Sequence, residues 1–202
     1  MKIMMTNVRI GFAHGLFKSS AFEEGQTPKY GADFIETKET VVYEVRGSGE
    51  TKQRVKTTMK DAMLAVANEA WKGRGADMLA DFESSKKCYR NGDKRLNKDG
   101  EVYEGYEGTW YVTAKTPVRP TLFDRQRGSV TEEDGLIYSG CYGNVTFDLY
   151  PNTKPKFRGV FAALTGVQFV KDGDAFGGGG GVARPDDFDD LGEGADSGDD
   201  LT

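Results

Sequence analysis

Apolar and polar positions alternate from the beginning of the chain. Val8, Ile10 and Phe12 are interleaved with Asn7, Arg9 and Gly11, a two-residue period that predicts a half-buried β-strand. A loop follows through Pro28, and residues 29–35 and 40–45 then carry the aromatic and β-branched side chains of two further strands. From Thr58 the period changes. Met59, Ala62, Met63, Val66, Ala67, Ala70 and Trp71 recur at three and four residues, with Thr58 and Asp61 spaced to cap the start and Gly73 to end it, so residues 58–71 predict an amphipathic helix. A shorter helical pattern, Met78, Leu79 and Phe82, follows the Gly73-Arg74-Gly75 break.

Residues 84–108 are polar and basic at first and then rich in tyrosine, with turn signals at Asn91-Gly92-Asp93 and Lys98-Asp99-Gly100, the pattern of a long hairpin or loop. Residues 109–115 predict a strand with Trp110, Val112 and Ala114 on one face and Tyr111, Thr113 and Lys115 on the other. Residues 135–150 predict another, whose apolar face holds Ile137, Cys141, Val145, Phe147 and Leu149 and whose wet face holds Tyr138, Tyr142, Asn144, Thr146, Asp148 and Tyr150. Residues 158–170 complete the set as one strand or a pair. Short strands, few helices and glycine-containing turns fit a mainly β protein, an OB-fold-like five-stranded antiparallel barrel with one or two inserted helices.

Charge divides the chain in two. Residues 172–202 carry ten acidic side chains against the single Arg184, a net charge of −9, which leaves +4 on residues 1–171 out of the whole-chain −5. Five consecutive glycines, 177–181, suit no packed element. Residues 1–171 are therefore read as one binding domain, and 172–202 as a flexible linker and disordered acidic tail. The body is fit to bind a polyanion, and the tail to imitate one.

The body also holds the means. Lys86, Lys87, Arg90, Lys94, Arg95 and Lys98 fall within thirteen residues, and Tyr89, Tyr103, Tyr106, Trp110 and Tyr111 interleave with or follow them. Cations for phosphates and flat rings for bases are what an unpaired strand requires, because every base has a π-face. Tyr138, Tyr142 and Tyr150 form either a second part of that platform or an interface in a homo-oligomer. Arg119, Arg125, Arg127, Lys154, Lys156 and Arg158 are loop or strand-end cations able to track a backbone. In the tail, Phe188 and Leu191 stand among Asp186, Asp187, Asp189 and Asp190, an apolar anchor with acidic flanks for a partner protein.

Much else is excluded. One histidine, His14, removes most histidine-based catalysis and zinc binding. No phosphate-loop or dinucleotide motif is present, and the calcium-loop-like stretch from Arg95 to Tyr106 lacks its first and twelfth ligands. Glu101, Glu104 and Glu107 leave a metal-dependent nuclease as the enzymatic alternative, although that spacing suits an exposed edge better. A structural or interaction protein with a charged tail is a further alternative. No cofactor is expected. With neither a signal-peptide pattern nor a stretch long enough to span a bilayer, the expected location is cytoplasmic and the partners exclude a membrane, with Cys88 and Cys141 as thiols.

Four segments carry a resemblance: Asn7 to Phe12 with Leu16-Phe17; Pro28 to Phe34; Asn91-Gly92-Asp93; and Leu136 to Tyr142, continuing through Arg158-Gly159-Val160 to Gly166-Val167-Gln168-Phe169-Val170-Lys171-Asp172-Gly173. Together they resemble a family of tailed-bacteriophage single-stranded-DNA-binding proteins with an OB-fold core and an acidic C-terminal tail. The resemblance implies non-catalytic, largely sequence-independent binding of single-stranded DNA in phage replication or recombination. It also implies a tail that occupies the protein's own groove and recruits replication proteins. Many such tails end in an aromatic residue, whereas this chain ends in Leu201-Thr202, so either Phe188 takes that role or the partner contact differs.

Overall fold

A computed structural model describes residues 1–21 and 25–177. In chain order it contains β1 (Lys2–Gly11), β2 (Tyr30–Ile35), β3 (Val41–Arg46), β4 (Gln53–Thr57), α1 (Met59–Ala70), α2 (Gly75–Asp81), β5 (Tyr89–Asn91), β6 (Trp110–Thr116), β7 (Thr121–Phe123), β8 (Tyr142–Asn152) and β9 (Gly159–Lys171). Five of these strands close on themselves in the order β1-β2-β6-β9-β8-β1. All neighbours are antiparallel except β6 and β9, which pair in parallel at Ala114–Ala162 and Lys115–Ala163. This is a geometric necessity: strand directions that alternate around a ring need an even number of strands, so a five-stranded barrel contains one parallel seam. The fold is OB-like, as expected, and the entirely antiparallel expectation is corrected at that seam.

The barrel interior is filled by alternate side chains, among them Ile3, Met5, Val8, Ile10, Phe34, Val112, Val145, Phe147, Leu149 and Val160. In β1 the inward residues change parity between Met5 and Val8. A bulge there, with Asn7 at φ 54°, absorbs the extra residue so that both halves of the strand face the core. Helix α1 buries Met59, Ala62, Met63, Val66 and Ala67 against the same core, and Thr58 Oγ1 caps it by accepting from the Asp61 N–H at 3.1 Å.

Two boundaries differ from expectation. The strand expected over 135–150 begins only at Tyr142, because Cys141 N–H bonds back to the Tyr138 carbonyl at 3.2 Å and makes a turn of the residues before it. Tyr138 is thereby removed from the face that carries Tyr142 and Tyr150. Strand β4 was not foreseen. It pairs with β3 as the outer strand of a ribbon, and four of its five residues are exposed, so no alternation marks it.

Residues 92–109 fold back over the outer face of β1, β2 and β6. Ile35, Tyr106 and Tyr111 form a small second core there, with Val102, Tyr103 and Phe176 packed against it. Residues 172–177 cross beside it, tied down by Phe176 N–H to the Ser139 carbonyl at 2.9 Å and Gly177 N–H to Glu104 Oε2 at 3.0 Å.

Candidate nucleic-acid interface

Alternation along β2 sends Ala32 and Phe34 inward, which leaves Gly31, Asp33 and Ile35 on the outer face. Pairing with β6 sets Asp33 opposite Thr113 and Gly31 opposite Lys115. Asp33 is nonetheless 2% exposed, because the 92–109 loop roofs it. Its Oδ2 accepts from the Tyr106 hydroxyl at 3.0 Å and from Arg95 Nε at 3.1 Å, with Arg95 Nη2 in ion-pair contact at 3.1 Å, and its Oδ1 accepts from the Thr113 hydroxyl at 2.6 Å. A buried carboxylate persists only with such company. Burial, reinforced by Asp33, holds the Tyr106 phenol well above its ordinary value, so it remains a donor. Arg95 is pinned with its guanidinium 4.7 Å from the Phe12 ring centre.

Above this floor lies a hollow of about 720 Å³ under the β1–β2 loop, walled by Lys18, Lys29, Arg90, Arg95 and Lys115. A second hollow of about 450 Å³ lies between α1 and β5, with Lys60, Lys87, Arg90 and Lys94 around Tyr89 and Trp110. Arg90 lines both, and the two hollows together make up the candidate groove, with Thr113 and Lys115 on one face of β6 and Trp110 on the other. Among the described residues lining it, eight are Lys or Arg and only Asp33 is acidic, and Asp33 is neutralised by Arg95. The Tyr89 and Trp110 rings stack at 5.0 Å with 27° between planes, and the Lys60 ammonium lies 5.1 Å from the indole. Tyr89 donates its hydroxyl to Glu36 Oε2 at 2.8 Å. Burial raises the Glu36 carboxyl despite that bond and nearby Lys60. The groove thus combines a positive wall with a stacked aromatic pair of exposed Trp110 and half-buried Tyr89.

The family model described as the ssDNA-binding protein of Enterobacter phage Enc34 matches residues 1–201. The chain belongs to that family. A putative protein, p50, of Acyrthosiphon pisum secondary endosymbiont phage 1 is 34% identical over 194 residues, covering 95% of this chain and 94% of that one. The fold is also similar to that of the bacteriophage Enc34 single-stranded DNA-binding protein in complex with ssDNA, at TM-score 0.62 and 19% identity over 87% of this chain and 89% of that one. It is similar, too, to gp2.5, a single-stranded DNA binding protein encoded by bacteriophage T7, at TM-score 0.50 and 14% identity over 100% of this chain and 98% of that one.

In this member of the Enc34 family the residues expected from sequence do not all come together. Lys87, Tyr89, Arg90, Lys94, Arg95 and Trp110 line the groove, although Lys87 Nζ is also engaged by the Leu79 carbonyl at 3.1 Å. Tyr103 lines a neighbouring hollow of about 540 Å³ that shares Phe12 with the groove. Tyr106 and Tyr111, at 1% and 2% exposure, are a correction: both seal the loop onto the barrel and present no face to a base. Lys86 lies outside the groove, its carbonyl against Gly159. Arg119 and Arg158 are exposed in the turns before β7 and β9, away from both hollows.

Tyr138 and Tyr142 serve the C-terminal segment instead. The Tyr138 hydroxyl meets Asp172 Oδ1 at 3.0 Å and the Gly173 carbonyl at 2.9 Å. The Arg9 guanidinium lies between the Tyr142 ring at 5.2 Å and the Phe176 ring at 4.4 Å while bonding the Gly140 and Asp174 carbonyls. Asp186, Asp187, Phe188, Asp189, Asp190 and Leu191 lie outside the described residues. Sequence reasoning missed Phe12, Lys18, Lys29, Asp33, Lys60 and Lys115. Only Gly11 and Gly15, bracketing Phe12, signalled a special turn there.

Proposed function

We propose that this protein binds single-stranded DNA without catalysis and with little sequence preference, protecting and presenting it during phage DNA replication or recombination in the host cytoplasm. The observation that carries the reading is the position of the groove. The floor of its first hollow is the face of the barrel's second and third strands, β2 and β6, and the roof is the β1–β2 loop, the surface with which OB barrels hold oligonucleotides. Cations from five separate segments suit a phosphate backbone whatever its sequence, and the Tyr89–Trp110 pair suits any base.

The acidic tail acts as a tethered competitor for that groove and as a docking segment for replication or recombination proteins through Phe188 and Leu191. Its root supports this. Gly177, held to Glu104, borders the hollow that shares Phe12 with the groove, and 25 residues follow it. As a free coil of glycine-rich composition those residues span roughly 27 Å, comparable to a body with a radius of gyration of about 15 Å.

Fluorescence anisotropy with labelled oligo-dT tests the function. If the strand neutralises about five phosphates, log Kd rises against log salt with a slope near 3.5, a loss of roughly 100-fold between 50 and 200 mM. Trp110→Ala weakens binding to every sequence alike, and removal of residues 186–202 tightens it, most at low salt. A flat salt response overturns the groove, unchanged affinity without the tail overturns the competitor, and cleavage of the oligonucleotide by pure protein with Mg²⁺ overturns the non-catalytic reading.

A further inference from the structure

We infer that Phe12 is a principal base-stacking side chain of the groove, presented by a strained turn and flanked by an arginine that Asp33 locks in place. The inference rests on the proposed binding of single-stranded DNA and names a contact within it. By the two-residue period of β1, Phe12 should follow Ile10 into the core. Instead the chain leaves the strand at Phe12 with φ 55° and ψ 42°, the left-handed region that a bulky side chain avoids. The ring ends 39% exposed, whereas Phe34 and Phe147, true core residues of neighbouring strands, are fully buried.

Several neighbours hold the turn in this shape. Ala13 N–H bonds Ser139 Oγ at 3.0 Å and Gly15 N–H bonds the Phe12 carbonyl at 3.1 Å. On one side a Cβ at position 11 would stand 2.2 Å from the Tyr106 hydroxyl; on the other, a Cβ at position 15 would stand 2.3 Å from the Gly31 carbonyl. Only glycine fits at either place. A conformation that is unfavourable in itself and fixed by its surroundings, with the effect of keeping an aromatic ring out of the core, is characteristic of a ligand contact.

The immediate setting matches a stacked base beside its phosphate. Tyr103 meets the Phe12 ring edge-on at 5.0 Å and 84°, fixing its tilt. Arg95 lies 4.7 Å from the ring centre, and its bonds to Asp33 restrict it before any ligand arrives, which lowers the ordering cost of binding. Asp33 is thus a positioning residue. Phe12 lines both the main hollow and the one beside Tyr103. Phe12 and Arg90 line the same hollow, so a strand held by Arg90 there has this ring within its site.

The test uses the full chain and labelled oligo-dT. Phe12→Ala and Phe12→Leu are expected to weaken binding by about 5- to 150-fold, the range for loss of one stacked base. Their thermal midpoints stay at or above that of the wild type, and Phe12→Gly melts higher because it relieves the turn. Phe12→Trp keeps its affinity and gains an emission that oligo-dT quenches. Wild-type binding retained within twofold by Phe12→Leu overturns the role of Phe12 and leaves the proposed function standing. So does a loss of affinity in Phe12→Leu matched by a lower midpoint, with no quenching in Phe12→Trp. A wild-type chain that ignores oligo-dT overturns the proposed function itself.

Discussion

Replacing Asp33 is the most informative single perturbation of the scaffold beneath the groove. Its carboxylate accepts three hydrogen bonds, from Arg95 Nε, Tyr106 and Thr113, and pairs with the Arg95 guanidinium, while itself 2% exposed. Asp33→Ala orphans all of these donors. Tyr106, 1% exposed, has no route to water, and a buried donor without a partner costs about 1–3 kcal/mol. The Arg95 side chain is 34% exposed, so its charge is partly rehydrated and loses less than the roughly 3–5 kcal/mol of a fully buried ion left alone. Together these give a destabilisation of about 3 kcal/mol for Asp33→Ala. For Asp33→Asn the loss is about 2 kcal/mol, since the amide keeps one acceptor but turns a donor toward other donors. Urea unfolding followed by tryptophan fluorescence measures it, and the melting midpoint should fall by roughly 6–12 °C for Asp33→Ala. If Asp33→Asn unfolds within about 0.5 kcal/mol of the wild type, the carboxylate does not organise the loop, and the account of Arg95 as a pre-positioned cation fails with it.

Two further outcomes follow from burial. Glu36 has its carboxyl raised above its ordinary 4.5 by burial, so the folded state holds that proton to higher pH than the unfolded chain. Stability therefore declines as pH rises from the unfolded value through the raised one. Glu36→Gln, which keeps an acceptor for Tyr89, should match the wild type near pH 3 and exceed it at pH 7 in urea midpoint; a gap independent of pH would show that ionisation of Glu36 has no part in it. Cys88 and Cys141 are buried free thiols pushed up to about 12 and about 11 respectively, in both cases mainly by burial. Ellman's reagent at pH 8 should find neither in the native protein and both after denaturation, whereas rapid native labelling would mean that the barrel opens near one of them.

Where a pattern repeats over a few residues and one neighbour decides burial, sequence and structure agree. Val145, Phe147 and Leu149 point inward as their alternation requires, and α1 runs over Met59–Ala70 with Thr58 as its cap. Where burial depends on a second segment arriving from elsewhere, the agreement ends. Tyr106 and Tyr111 have the same composition-level signature as Tyr89 and Trp110, a ring near a cation, yet the first two are sealed inside a small core and the second two lie along the groove. Strand β4 has a largely polar, mostly exposed pattern and exists because β3 offers it an edge. Tyr138 belongs to a turn that secures the start of the C-terminal segment.

The amino-acid order by itself determined the charge division at residue 172, the inward face of β8 and the helix α1, because each depends on side chains that are neighbours along the chain or one turn apart. The groove was decided by tertiary structure. Asp33 finds Arg95, Tyr106 and Thr113 at separations of 62, 73 and 80 residues, and Phe12 is turned outward by contacts with Ser139, Tyr106 and Gly31. Such contacts leave no local period, since they arise only when barrel closure brings distant segments within hydrogen-bond reach.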